Sequence, residues 1–293
     1  MSEIIDRPKF REIRLQDNIP DEYDIVQLKM DGIWGALTIM NGEWMMQSRT
    51  GKIKADGSIE NPNIDCVLLG EYMKGSHWGH KMGVDGEFFV FDCIEIHGQD
   101  LKNNPLADRL DIAQQQVDIL RTQVDFINML DTYEVNKHEM LWDNYVKGQA
   151  YEGLVFKNSS SSYHDKNAWA RMKGVVEIEY ICRDFRPADE GTKYEGQVGA
   201  VIGTLADKDV AVTCGGLTDA DRIEYTNNAD YYIGKVFTAK GNAWYPSGSI
   251  RHPKFKEWRD DKEPIECTYD QIPETLRCTI DDSVVIDGKY SLS

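Results

Sequence analysis

The dipeptide Asn41-Gly42 limits what this chain can fold into more than any other stretch. It separates two strand-like runs, Ile33 to Met40 and Glu43 to Ser48. A two-residue Asn-Gly loop suits a tight hairpin because both residues tolerate positive φ. An antiparallel sheet is therefore expected to begin here. An alternating strand at 23–29 leads into it, with Val26 and Leu28 on one face and Asp31-Gly32 supplying a turn. Further strands are expected over Cys66 to Met73 and Glu87 to Ile94, with 52–64 as loop. Pro105 opens a helix whose Leu106, Leu110, Ala113, Val117 and Leu120 recur at helical spacing. A second helix is expected over Glu139 to Gln149, then a strand over Glu152 to Lys157, a polar loop Ser159 to Ser162, and the run Trp169 to Gly174.

The pattern changes after Gly174. Short strands over Val176 to Arg183, Val198 to Leu205, Val210 to Thr213 and Gly234 to Ala239, with one helix over Asp219 to Asn228, suggest a small barrel. The fold class is α+β, with domains over 1–175 and 176–264 and an acidic tail over 265–293.

The chain has 293 residues, enough for two cores, and a net charge of −17. Charge of that sign argues against generic nucleic-acid affinity but leaves room for a local basic face. No apolar run approaches a membrane span and Met1-Ser2-Glu3 opens no signal peptide, so a cytoplasmic protein is expected. The six cysteines form no C-x-x-C pair and read as buried reduced thiols. His77 and His80 lack the further ligands a zinc site needs.

Lys29 stands at the end of the 23–29 strand. An amine held there can act as a nucleophile, although a surface lysine before a turn has the same local pattern. Glu71 and Glu152 lie in apolar runs, and Lys173 follows Trp169 and Met172. Carboxylates and cations converging on one lysine suit a metal-assisted reaction at phosphorus. There is no G-x-x-x-x-G-K-[ST] loop and no G-x-G-x-x-G, so nucleotide chemistry must use another device.

Taken in order, Lys29-Met30-Asp31-Gly32, Ser48-Arg49-Thr50-Gly51, Leu69-Gly70-Glu71, Val90-Phe91-Asp92, Tyr151 to Lys157 and Arg171-Met172-Lys173 resemble the nucleotidyltransferase motifs of ATP-dependent DNA ligases. Gly248 to Phe255 and Arg259 to Pro264 resemble the last motif of the ligase OB domain. The resemblance implies an antiparallel-sheet adenylation domain followed by an OB-fold barrel. It implies a monomeric DNA ligase that uses ATP and Mg2+ or Mn2+ to seal nicked double-stranded DNA through a lysyl-AMP intermediate. Lys29 would be the nucleophile, with Asp31, Glu152 and Lys173 also catalytic, and Glu152 and Asp31 would hold the metal. Gln27 and Phe91 would bind adenine, Glu71 the ribose, and Arg49, Arg171 and Lys173 the phosphates. Arg259, Asp261 and Lys262 would orient pyrophosphate, while Arg49, Arg251 and Lys254 would contact DNA.

Two positions depart from the family pattern: Trp34 stands where the first motif has arginine, and Arg171 where a later one has lysine. An RNA ligase or capping guanylyltransferase of the same superfamily is the alternative reading. An inactive nucleic-acid-binding module is the alternative of another class.

Overall fold

The computed structural model describes residues 8–147, 151–245 and 247–273. It divides into two compact units, with the break between Lys173 and Gly174.

The first unit is built on two sheets. The hairpin Ile33–Met40 and Glu43–Ser48 forms as its turn chemistry dictates, with φ of 55° at Asn41 and 81° at Gly42. Both values are positive, the signature of a primed turn whose twist matches the strands. This hairpin lies within a larger sheet. Its strand order is Ile53–Ser58, Glu43–Ser48, Ile33–Met40, Cys66–Tyr72, Phe88–Ile96 and Gln99–Asp100, and Ile127–Met129 pairs in parallel with Phe88–Ile96. The strand Ile53–Ser58 corrects the loop expected over 52–64. Its sequence is polar and four of its six residues are exposed, as suits an edge strand carrying little hydrophobic signal.

The second sheet runs Phe10–Glu12, Trp169–Lys173, Gly153–Lys157, Ile25–Lys29, Thr132–Glu134. Period-two alternation sorts its side chains. Val26, Leu28, Leu154, Phe156, Ala170 and Met172 face one core, shared with Leu141, Trp142 and Val146. The residues between them face the opposite way, and Val155 and Trp169 pack there with Ala36, Leu69 and Phe91 of the larger sheet. The larger sheet's other face packs against Ala113, Val117 and Leu120 of the helix Leu106–Leu120. The helix expected over Glu139 to Gln149 is a short α-helix, His138–Leu141, continuing as the π-helical turn Trp142–Val146, and its expected end lies outside the described residues.

Arg109 was not among the expected core residues, yet it is fully buried on the helix Leu106–Leu120. Its Nε donates to Asp92 Oδ1 at 2.8 Å and its Nη2 to Asp92 Oδ2 at 3.0 Å, while Nη1 donates to the carbonyls of Asn104 and Ser161. This forked pair ties the helix to the strand carrying Phe91. Buried charge is tolerated because each of the three guanidinium nitrogens has an acceptor.

The second unit is a five-stranded barrel of order Ala211–Cys214, Val198–Thr204, Val176–Pro187, Val236–Gly241, Lys254–Trp258. A parallel bridge between Gly215 and Lys254 closes it, with the Phe255 amide donating to the Gly215 carbonyl at 2.8 Å. The strand Lys254–Trp258 was not expected from sequence. A helix, Asp219–Asn227, follows the third strand and starts with a reciprocal capping box between Thr218 and Asp221. This is the connectivity of an OB barrel. No helix among the described residues is long and apolar enough to cross a membrane.

Replacing Arg109 by leucine strands the Asp92 carboxylate in the core. Chemical denaturation is expected to show a loss of about 3–5 kcal/mol, largely recovered when Asp92→Leu is added. A loss confined to the few tenths typical of a surface residue would show that the pair does not hold the helix to its strand.

Candidate active site

Three adjacent strands put Lys29, Gly153 and Lys173 side by side. The register pairs Gly153 with Lys29 on one flank and with Lys173 on the other. Gly153 is required for that closeness: a Cβ there would lie 2.0 Å from the Met172 carbonyl oxygen. Glu152, one residue earlier, is buried, and its amide donates to the Lys29 carbonyl at 3.0 Å. Its carboxylate accepts from both lysines, one oxygen from Lys29 Nζ and the other from Lys173 Nζ at 2.5 Å. Burial works against its charge, but the two ammonium groups outweigh burial and hold the carboxyl below its ordinary range.

Further along the same face, Gln27, Val155 and Arg171 form the next cross-strand row, and Ile25, Lys157 and Trp169 the one after. Gln27 is buried and its Nε2 donates to Thr132 Oγ1 at 2.8 Å. Arg171 is turned toward the edge strand Phe10–Glu12: its Nε donates to Glu12 Oε1 at 2.6 Å and its guanidinium lies over the Phe10 ring. A carboxylate therefore already occupies the cation expected to meet phosphate.

From the larger sheet, Glu71 reaches the turn after Lys29, its Oε1 accepting from the Gly32 amide at 3.0 Å. Burial pushes its carboxyl up to about 7, with Lys29 and the Gly32 bond opposing and the charges of Glu152 and Asp31 adding to the rise. Glu71, Asp31, Lys29, Glu152 and Lys173 thus form one electrostatically coupled group. Phe91 is buried at 8% exposure, edge-on to Trp169 with ring centroids 5.7 Å apart. Arg49 is exposed at the end of the hairpin. Trp34 packs onto the layer between the sheets and pairs in register with Glu71.

The remaining expected residues belong to the barrel unit. Arg259 forks onto Asp261, with Nε and Nη2 donating at 2.8 and 2.7 Å, and Nη1 donates to Glu179 at 2.8 Å. Lys262 lies 3.9 Å from Glu266, Lys254 is exposed and Arg251 is half-buried. Lys256 pairs with Glu177 and Glu257. Arg259 and Lys256 are therefore neutralised within the unit. The residues missed from sequence are Lys157, Trp169 and Glu12. Lys157 was legible as a member of the Gly153, Val155, Lys157 alternation, whereas Glu12 acts through a parallel pairing with a strand far along the chain.

The chain is similar to several known proteins. Residues 65–173 match the model of the ATP dependent DNA ligase domain. The chain is 30% identical over 148 residues to the DNA ligase of Enterobacteria phage T3, an alignment covering 45% of this chain and 41% of the phage protein. It is 24% identical over 208 residues to a DNA ligase of Natronomonas pharaonis, covering 62% of this chain and 37% of the relative. The matched region thus spans about two fifths of the length of these curated relatives. Among solved structures, Pmar-Lig_Pre. superposes with a TM-score of 0.66 at 21% identity, covering 82% of this chain and 64% of that one. A structure from work on DNA binding by the minimal scaffold of Lig E DNA ligases gives 0.64 at 16% identity, covering 87% and 100%. At such identities the likeness is one of fold.

Two packed sheets followed by a five-stranded barrel give the chain the α+β fold of the ligase structures on which it superposes. Over residues 65–173 the chain is similar to the ATP dependent DNA ligase domain.

The raised Glu71 carboxyl has a consequence for stability. A carboxyl whose folded pKa lies above its unfolded value binds more protons when folded, so its contribution is greatest below 4.5 and is lost as pH rises to about 7. The stability of Glu71→Gln relative to wild type should therefore improve across that window and level off above it. Parallel pH profiles for the two proteins would show that Glu71 is not buried in the way described.

Proposed function

We propose that this protein is an ATP-dependent DNA ligase that seals nicks between a 3′-hydroxyl and a 5′-phosphate in duplex DNA. The observation that carries the reading is Lys29 at a strand end, held beside Glu152 and Lys173 on the face that also bears Gln27 and Val155. Lys29 Nζ attacks the α-phosphorus of ATP; the N–P bond forms, the bond to the β-phosphate oxygen breaks, pyrophosphate leaves and an amine proton is lost. The 5′-phosphate of the nick then attacks that phosphorus and expels Lys29. Finally the 3′-hydroxyl attacks the activated 5′-phosphate and AMP departs. Each step is an in-line displacement, so alignment and charge neutralisation supply most of the acceleration.

Lys173 is the cation best placed to neutralise the α-phosphate, because it shares Glu152 with the nucleophile. Glu71 anchors the turn after Lys29 and takes the ribose hydroxyls; Phe91 and Gln27 receive the base. Arg171 serves phosphate by exchanging Glu12 for it, and Arg49 reaches the nick. In the barrel, Arg259, Asp261 and Lys262 act on pyrophosphate, and Arg251 and Lys254 on DNA.

Among the described residues no three His, Cys, Asp or Glu side chains cluster as a metal cage. A divalent cation would take most of its ligands from phosphate and water, as Mg2+ prefers, with Glu152 and Asp31 as the protein's oxygens. When bound, the metal supplies charge neutralisation at the reacting phosphate. We further infer a monomeric, cytoplasmic protein whose buried free thiols suit a reducing compartment.

Nick sealing by variants tests the reading. Lys29→Ala is expected to be inactive with ATP and a 5′-phosphate nick yet to seal a pre-adenylylated nick, since the last displacement needs no lysine nucleophile. Glu152→Ala should slow sealing on the order of a hundredfold and alter its magnesium dependence while remaining folded. Sealing by Lys29→Ala from ATP at the wild-type rate would overturn the assignment.

A further inference from the structure

Lys157 is a buried cation outside the cluster assigned above, and its surroundings are unusual. It is 1% exposed, in the row Ile25, Lys157, Trp169 on the face that carries Lys29. It forms no ion pair among the described residues. Asp92, the acid whose charge acts on it, is already engaged by Arg109 through both oxygens. The Lys157 ammonium instead lies 3.8 Å from the centroid of the Trp169 ring and 4.9 Å from that of Phe91, and donates to the Phe91 carbonyl at 3.2 Å. Two aromatic faces and one carbonyl replace the water that the charge lost.

Packing alone does not call for a cation here. A methionine would fill similar space without desolvation. What the ammonium adds is a link between the sheets, joining the strand that follows Glu152 to the backbone and ring of Phe91. We propose that Lys157 is a positioning residue of the nucleotide site, clamping Phe91 against Trp169 so that the ring is held in the setting that stacks on the base of ATP. The proposal rests on the ligase reading, in which Phe91 receives adenine.

The charge that works this clamp is held near its limit. Burial pulls the amine down to about 7, Asp92 opposes that pull and Arg109 adds to it. These are the charged groups that act on Lys157 from the elements packed against it: Asp92 on the strand of Phe91 and Arg109 on the helix behind it. As pH rises through neutrality the amine loses its proton. The rings then lose their cation, and Phe91 its charged donor.

Self-adenylylation of the full chain, followed against ATP concentration, separates base binding from chemistry. In Lys157→Met the half-saturating ATP concentration is expected to rise about tenfold with the saturating rate unchanged. Lys157→Arg, which keeps the charge and can still stack, should restore wild-type half-saturation. In wild type the half-saturating concentration should climb as pH rises through 7, and this climb should be absent in Lys157→Met. Should Lys157→Met not fold, Lys157→Gln carries the same expectation. Wild-type half-saturation and an unchanged pH profile in either uncharged variant overturn the clamp while leaving the ligase reading intact. Failure of wild type to take AMP from ATP overturns the ligase reading, and the clamp with it.

Discussion

One carboxylate between two ammonium groups organises this molecule. Glu152 is buried, and its two oxygens are taken by Lys29 and Lys173. The cluster exists because three strands approach as closely as Gly153 allows, where any Cβ would strike the Met172 carbonyl. Removing one lysine would leave a net-neutral pair; removing Glu152 would leave two like charges facing each other in a partly desolvated space. The glycine and the glutamate are therefore a single device. One sets the spacing and the other makes that spacing electrostatically tolerable.

The larger sheet completes the arrangement by bringing residues from a different part of the chain. Glu71 reaches the turn after Lys29, and Phe91 packs on Trp169 in the apolar layer between the sheets. That layer is fixed by ordinary hydrophobic packing, reinforced by the buried fork between Arg109 and Asp92. Stability and chemistry thus draw on the same strands. The strand of Phe91 also carries Asp92, and the strand that follows Glu152 also carries Lys157.

Features that depend on neighbours in sequence were legible in advance. Asn41-Gly42 announced its hairpin to the residue, and the alternation of Val26 and Leu28 marked the strand that ends at Lys29. Features that depend on distant partners were not. Arg109 sits among the apolar positions of its helix, where a charge is ordinarily read as solvent-facing; only Asp92, seventeen residues earlier on a strand, explains its burial. Phe10–Glu12 gave no signal because its partner strand lies at Trp169–Lys173. Ile53–Ser58 was hidden by its polarity. In the barrel, Arg259 was expected to meet pyrophosphate, but Glu179, on a strand separated from Lys254–Trp258 by Val236–Gly241, partners it, and Glu177 on the same strand partners Lys256. The ordered motifs found the candidate site, while the way its cations are balanced required coordinates.

We propose that Lys29 Nζ, at the focus of this charge cluster, is the atom to which nucleotide is joined. Incubation of the protein with ATP and magnesium, quenching with EDTA and denaturant at mildly alkaline pH so that the acid-labile N–P bond survives, then proteolysis and tandem mass spectrometry decide whether it is. The account predicts one AMP per chain, on the peptide that contains Lys29 and through its side-chain nitrogen. AMP mapped to Lys157, Lys173 or any other residue, or no covalent nucleotide at all, would contradict it.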